Sequence, residues 1–141
     1  MKFQVAALCD AATDYHGKLN LLGTFDTIIA GQMPAMHPQC SLALRVVFEK
    51  SEEGAHQLKI NFVDEDGKSI MPAIDLPLQI AVPEDSIFVS RNLVINIQQL
   101  KFDRPGLYSI DVALDNRSET SVPLLVKLMP PGQTAGESQP L

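Results

Sequence analysis

The stretch Asp103 to Leu128, DRPGLYSIDVALDNRSETSVPLLVKL, holds a corner, two strands and the turn that joins them. Tyr108, Ile110, Val112 and Leu114 alternate with Ser109, Asp111, Ala113 and Asp115, the period of a strand with one face in a core and the other in water. After the polar break at Asn116 to Ser118, Val122, Leu124, Val126 and Leu128 resume the alternation. The entry Asp103-Arg104-Pro105-Gly106-Leu107-Tyr108 has the form of the tyrosine corner of immunoglobulin-like sandwiches, where a Tyr after a Gly-containing turn bonds back to the upstream backbone.

Working outward, the rest of the chain reads the same way. Phe3, Val5, Ala7 and Cys9 begin an opening strand, and Leu19, Leu21 and Phe25 a second. Asp14-Tyr15-His16-Gly17-Lys18 fits a hairpin loop of about three residues, with Gly where the backbone turns left-handed. That loop predicts Phe25 opposite Ala7, Leu8 opposite Thr24 and Asp10 opposite Leu22. Met33-Pro34-Ala35-Met36-His37-Pro38 reads as a crossing loop between sheets, since neither proline can donate to a ladder. Cys40, Leu42, Leu44, Val46 and Phe48 then face one way along a long strand, with Ser41, Ala43 and Arg45 facing the other. Arg45 is expected to pair with a carboxylate across the sheet.

Leu58, Ile60 and Phe62 form a clean amphipathic strand. The following Asp64-Glu65-Asp66-Gly67 repeats the Asp-x-x-Gly of the first hairpin and predicts Ile70 opposite Phe62. Pro77 marks the strand Ile74 to Val82 as an edge or a bulge. Leu93, Ile95 and Ile97 lead back into the opening stretch, and nowhere does a capped helical period run for ten residues. The expectation is an all-β immunoglobulin-like β-sandwich of about eight or nine mostly antiparallel strands over residues 1–128, followed by a disordered tail at 129–141 with little to bury.

A chain of 141 residues, 45% hydrophobic and 20% charged, is ordinary for one globular domain. Its net charge of −6, with only 11 Lys and Arg, argues against nucleic acid or an anionic membrane surface as a partner. Val5-Ala6-Ala7-Leu8-Cys9 superficially resembles a lipoprotein signal. The segment before Cys9 falls short of the roughly 15 to 30 residues required, and Leu8 stands where a small residue is needed. No apolar run approaches the ~18 residues of a membrane span. A cytoplasmic protein with Cys9 and Cys40 as free, buried thiols is therefore expected.

No catalytic signature is present. A calcium loop at Asp64 to Gly67 would need a carboxylate where Phe62 stands. His16, His37 and His56 lack metal-site spacing, and there is no nucleophile elbow or Gly-rich phosphate loop. Asp10, Asp26 and Asp103 lie near strand ends, where turn-holding is the ordinary use of a carboxylate.

The pattern also resembles an uncharacterised bacterial domain family of unknown function. The matching residues are Leu8-Cys9-Asp10, the run Gly17 to Gly23, Phe25-Asp26, His37-Pro38 and Pro105-Gly106-Leu107-Tyr108 through Val112. The resemblance implies a bacterial cytoplasmic source and an all-β fold, and brings no catalytic residues, cofactor or metal. The functional expectation is a non-enzymatic interaction or structural module. The alternative is a small-ligand binder or enzyme with a site built from Asp10, Asp26 and His37. A homodimer is expected through the outer face of the first hairpin, where Ala6, Leu8 and Leu22 would form an apolar patch.

Overall fold

In a computed structural model describing residues 1–130, the chain folds into nine strands in two sheets, with no α-helix among the described residues. The strands are β1 (Lys2–Tyr15), β2 (Lys18–Phe25), β3 (Thr27–Ala30), β4 (Ala35–Glu49), β5 (Gly54–Val63), β6 (Ile74–Ile80), β7 (Phe88–Phe102), β8 (Gly106–Leu114) and β9 (Arg117–Leu128), with one 3-10 turn at Lys50–Glu52. One sheet has the order β2-β1-β4-β7 and the other β3-β9-β8-β5-β6. Every pairing is antiparallel except that of β3 with β9. Of the tail expected at 129–141, residues 131–141 lie outside the described residues; Met129, at its start, donates to the Ala30 carbonyl at 2.7 Å.

The sheets pack face to face through the apolar half of each alternation. Leu42, Leu44, Val46 and Phe48 of β4 meet Leu58, Ile60 and Phe62 of β5 and Ile110, Val112 and Leu114 of β8 in one buried cluster. At roughly 1.5–3 kcal/mol per fully buried side chain, such a cluster is the main force holding the layers together. The corner forms as its sequence suggests. The Tyr108 hydroxyl donates to the Arg104 carbonyl at 2.6 Å, and its ring packs edge-on against Phe102 with centroids 4.9 Å apart. Pro77 lies on β6, an edge strand. The second turn also has the expected register, with Ile70 N–H donating to the Phe62 carbonyl at 2.9 Å and Val63 bridging Ser69.

The first hairpin departs from its expected register. Its loop is His16-Gly17 alone, both residues at positive φ, so Leu8 pairs with Phe25, Cys9 with Thr24 and Tyr15 with Lys18. A two-residue loop with both central residues left-handed suits the twist of a ribbon better than the longer loop inferred above. The pairing of β1 with β4 also shifts between Phe3 and Val5. Beyond that irregularity the alternation reverses, so Leu8 points into the core at 1% exposure and Ala6 packs beside it, while Cys9 turns to the other face. The expected outer patch of Ala6, Leu8 and Leu22 therefore does not exist; of the three, only Leu22 is exposed, at 70%.

The second departure lies at Pro38. The strand β4 begins at Ala35, through the segment read above as a crossing loop. Pro38 is tolerated because β1 pairs with β4 only as far as Ser41, leaving that side of Pro38 without a ladder, and because across from it Gln99 has a left-handed backbone.

Beyond Cys9 the β1–β2 ribbon folds back over the outer face of its own sheet. Val5, Arg45 and Asn92 lie in one row across β1, β4 and β7. The hairpin tip returns to that row, where the Gly17 carbonyl accepts from Arg45 Nη1 at 3.0 Å and from Asn92 Nδ2 at 3.1 Å, and Asp14 accepts from Asn92 at 2.9 Å. The outer face beneath this arm is paved with small side chains, and Cys9, Ser41 and Ala43 are buried there although their register is that of a solvated face. Arg45 consequently finds no carboxylate among the described residues. Its partners are the Gly17 carbonyl and the amide oxygens of Gln4, at 3.0 Å, and Asn92, at 2.6 Å.

Candidate functional site

The three residues singled out as a ligand site are not gathered in one cleft. Phe25 closes β2, and its ring stands 5.5 Å from that of His37 at the start of β4, whereas Asp26 and His37 line different clefts. Asp26 sits where the chain crosses between sheets: its carbonyl accepts from Leu125 N–H at 2.8 Å and its carboxylate from Thr27 Oγ1 at 3.0 Å. Asp10 lies apart, at the bend of the folded-back arm, across the ribbon from Gly23. A side chain there would stand 2.5 Å from an Asp10 oxygen, which ties Gly23 to its position and to its φ of +69°.

A cleft of about 320 Å³ with a mixed polar and apolar lining adjoins His37, formed by Ile28, Gly31, Gln32, Pro34, Met36 and Phe102. His37 Nε2 is buried and has no hydrogen-bond partner among the described residues. A buried ring nitrogen without a partner is uncommon and suits a small hydrogen-bonding guest. Among the described residues no group of three or more His, Cys, Asp or Glu side chains is placed to hold a metal ion.

The best-formed polar constellation is one the sequence reading passed over. His56 Nδ1 lies 2.6 Å from Asp115 Oδ2 and Nε2 lies 2.6 Å from the Glu52 carbonyl, beside a cleft lined by Gln57, Pro77, Leu78 and Gln79. Both ring nitrogens face acceptors, so the imidazolium, which donates from both, fits the site best. The Asp115 and Glu52 contacts raise the His56 pKa against the lowering effect of burial, and the same His56 contact is the largest cause of the lowered Asp115 pKa. A general base needs a free ring nitrogen directed at a substrate. His56 has none, and it works instead as a clamp joining the 3-10 turn, β5 and the β8–β9 turn. The signal for it was the pairing of β5 with β8, which sets Leu58 across from Leu114 and so Gln57 beside Asp115. That pairing is tertiary information.

The charged groups of the second turn are also committed. Asp64 Oδ1 accepts from the Asp66 and Lys68 amides, both at 2.9 Å, and Arg104 reaches Asp66 at 2.8 Å. Cys9 and Cys40 are free and buried. Burial raises the Cys9 thiol pKa and pushes that of Cys40 up to about 11, so neither is an activated nucleophile.

These features define an all-β protein of two packed sheets whose best-placed polar groups hold its own backbone together. The family of unknown function DUF6941 matches residues 4–127, and the chain belongs to that family. No match was found among curated proteins.

Proposed function

We propose that the chain is a non-enzymatic interaction or structural module with an immunoglobulin-like sandwich fold, in a bacterial cytoplasm. The observation that carries this reading is the state of His56: the one histidine in a charged constellation has both nitrogens committed to acceptors within the chain. The tyrosine-corner bond of Tyr108 supports the fold assignment, and two unpaired buried thiols fit a reducing compartment. Large apolar side chains left at the surface, Ile87 at 82% exposure and Leu22 at 70% among them, suit contact with other proteins, a second copy of the chain included.

The second reading is a small-ligand binder, favoured by the unpartnered His37 nitrogen beside its cleft. A thermal-shift screen with metal ions, sugars and nucleotides separates the two. A ligand at 100 times its Kd adds roughly 2.7 kcal/mol of stability. The module reading expects no stabilisation across the panel. A reproducible rise in Tm that His37→Leu abolishes would establish the binder instead.

A further inference from the structure

The two sheets have four edge strands, and three of them are blunted. β3 is 4 residues long, β6 carries Pro77, and β2 is bent back over its sheet through the positive-φ Gly23. Short length, proline and sharp local twist are the usual means by which edges avoid pairing with foreign chains. β7 has none of these over most of its length. It runs for 15 residues, pairs with β4 on one side, and on the other makes no backbone hydrogen bond to a strand or loop among the described residues; the β1–β2 tip touches it only through the Asn92 side chain. Between Arg91 and Lys101 the sequence Asn92-Leu93-Val94-Ile95-Asn96-Ile97-Gln98-Gln99-Leu100 has no charged residue, no proline and no glycine. The regular strand ends only at Gln99, where φ is +54°. Leu93 and Ile95 at this open margin are only half buried, packed against the core from one side.

We propose that two copies of the chain pair edge to edge through antiparallel β7 strands, joining their first sheets into one continuous sheet. This deepens the module reading and rests on it. A row of unpaired N–H and C=O groups is matched by another strand, and the chemistry of the edge selects a second copy. A two-fold axis at Ile95 sets Ile95 against its own copy and Leu93 across from Ile97 of the partner subunit, completing the half-covered apolar face. On the other face it sets Val94 across from Asn96 of the partner subunit and Asn92 across from Gln98 of the partner subunit. The core-facing side then meets apolar side chains only and the outer side meets uncharged ones, each contact being repeated across the axis as an isologous interface requires. The net charge of −6 on each copy opposes association, and the uncharged span from Asn92 to Leu100 is where that repulsion is least local. A partner of opposite charge would need a charged edge to select it, and this edge has none.

Light scattering on the full chain at tens of micromolar is expected to give a dimer. Asn96→Lys puts two cations beside the axis and is expected to weaken the dimer at least tenfold. Because Asn96 also accepts from the buried Ser41 hydroxyl at 2.7 Å, Asn96→Ala is the control: it loses that bond without adding charge and is expected to stay dimeric. Should Asn96→Lys fail to fold, oxidised Ile95→Cys decides the matter, since a cysteine on the axis is expected to link two copies covalently. A monomeric native chain, a dimeric folded Asn96→Lys, or an Ile95→Cys that stays uncrosslinked overturns the β7 contact. None of these outcomes bears on the ligand screen, which tests the module reading separately.

Discussion

Two turns in this molecule share the spelling Asp-x-x-Gly and fold differently. At Asp64 to Gly67 the aspartate takes two amides of its own loop, Gly67 N–H returns to the Asp64 carbonyl at 3.0 Å, and Gly67 has a φ of +79°. At Asp14 to Gly17 the aspartate reaches away to Asn92 on β7 and leaves its loop uncapped. The hairpin then tightens to His16-Gly17, with His16 itself at φ +51°. What distinguishes them is the partner of one carboxylate. Where it is local, the turn is determined by its own residues; where it is distant, the fold chooses the turn.

The largest effect is expected beneath the arm. Ala43 is fully buried against the returning hairpin, and Ala43→Leu must either displace the arm or strain the sheet. A cost of about 1–3 kcal/mol is expected from overpacking of this kind. Urea denaturation measures it, and limited proteolysis should show new cleavage between residues 10 and 23. A variant of native stability would mean that the arm does not rest on this face.

Next is Asp64→Ala, which removes the acceptor of two backbone amides on a mostly buried side chain. By analogy with capping losses it should cost about 1–2 kcal/mol. Hydrogen exchange should quicken at Asp66 and Lys68, and a loss confined to global stability without that local signature would contradict the capping role.

Asp14→Ala should cost less, about 0.5 kcal/mol, the low end for one exposed hydrogen bond. Exchange at Tyr15 and Lys18 is expected to be unchanged, because the two-residue loop does not depend on the carboxylate. Slippage of the hairpin register, seen as altered cross-strand NMR contacts, would show that Asp14 shapes its own loop after all.

The same physics sets what could be read before the fold was known. Alternation over Tyr108 to Leu114 and Leu58 to Phe62 gave the right faces because one side of each strand is solvated. It failed at Leu8, Ser41 and Ala43. The irregularity after Phe3 moved Leu8 inward, and the folded-back arm buried Ser41 and Ala43 on a face that is otherwise exposed. Small residues are the only trace of that arm in the sequence, and small residues are compatible with either face. The candidate site was not legible: Asp26 and His37 line different clefts, and the contact His37 does make, with the Phe25 ring, depends on how β2 and β4 are placed in the fold. The His56 clamp joins segments far apart in the chain, so no spacing within the sequence announces it.

A third turn joins the two behaviours and carries the smallest predicted effect. Asp115-Asn116 has positive φ at both residues, and the Asp115 carboxylate takes the Gln57 amide at 2.8 Å as well as the His56 ring. The amide contact is indifferent to mild changes of pH, whereas the His56 contact is not. The folded-state pKa of His56 is raised, so its contribution is fully present below the unfolded value of about 6.5 and is lost as pH rises through the folded value. The Asp115 pKa is lowered, so its contribution is fully present above about 3.9 and is lost as pH falls through the folded value. The pair therefore stabilises most between roughly pH 4 and 6.5 and less on the alkaline side. Chemical denaturation at pH 5.5 and 8.5 should show the native chain losing stability between the two, and His56→Gln losing less. Equal slopes for both proteins would mean that the His56 pKa is the same in the folded and unfolded chain and that the amide contact alone holds the Asp115 turn, as the loop amides hold Asp64.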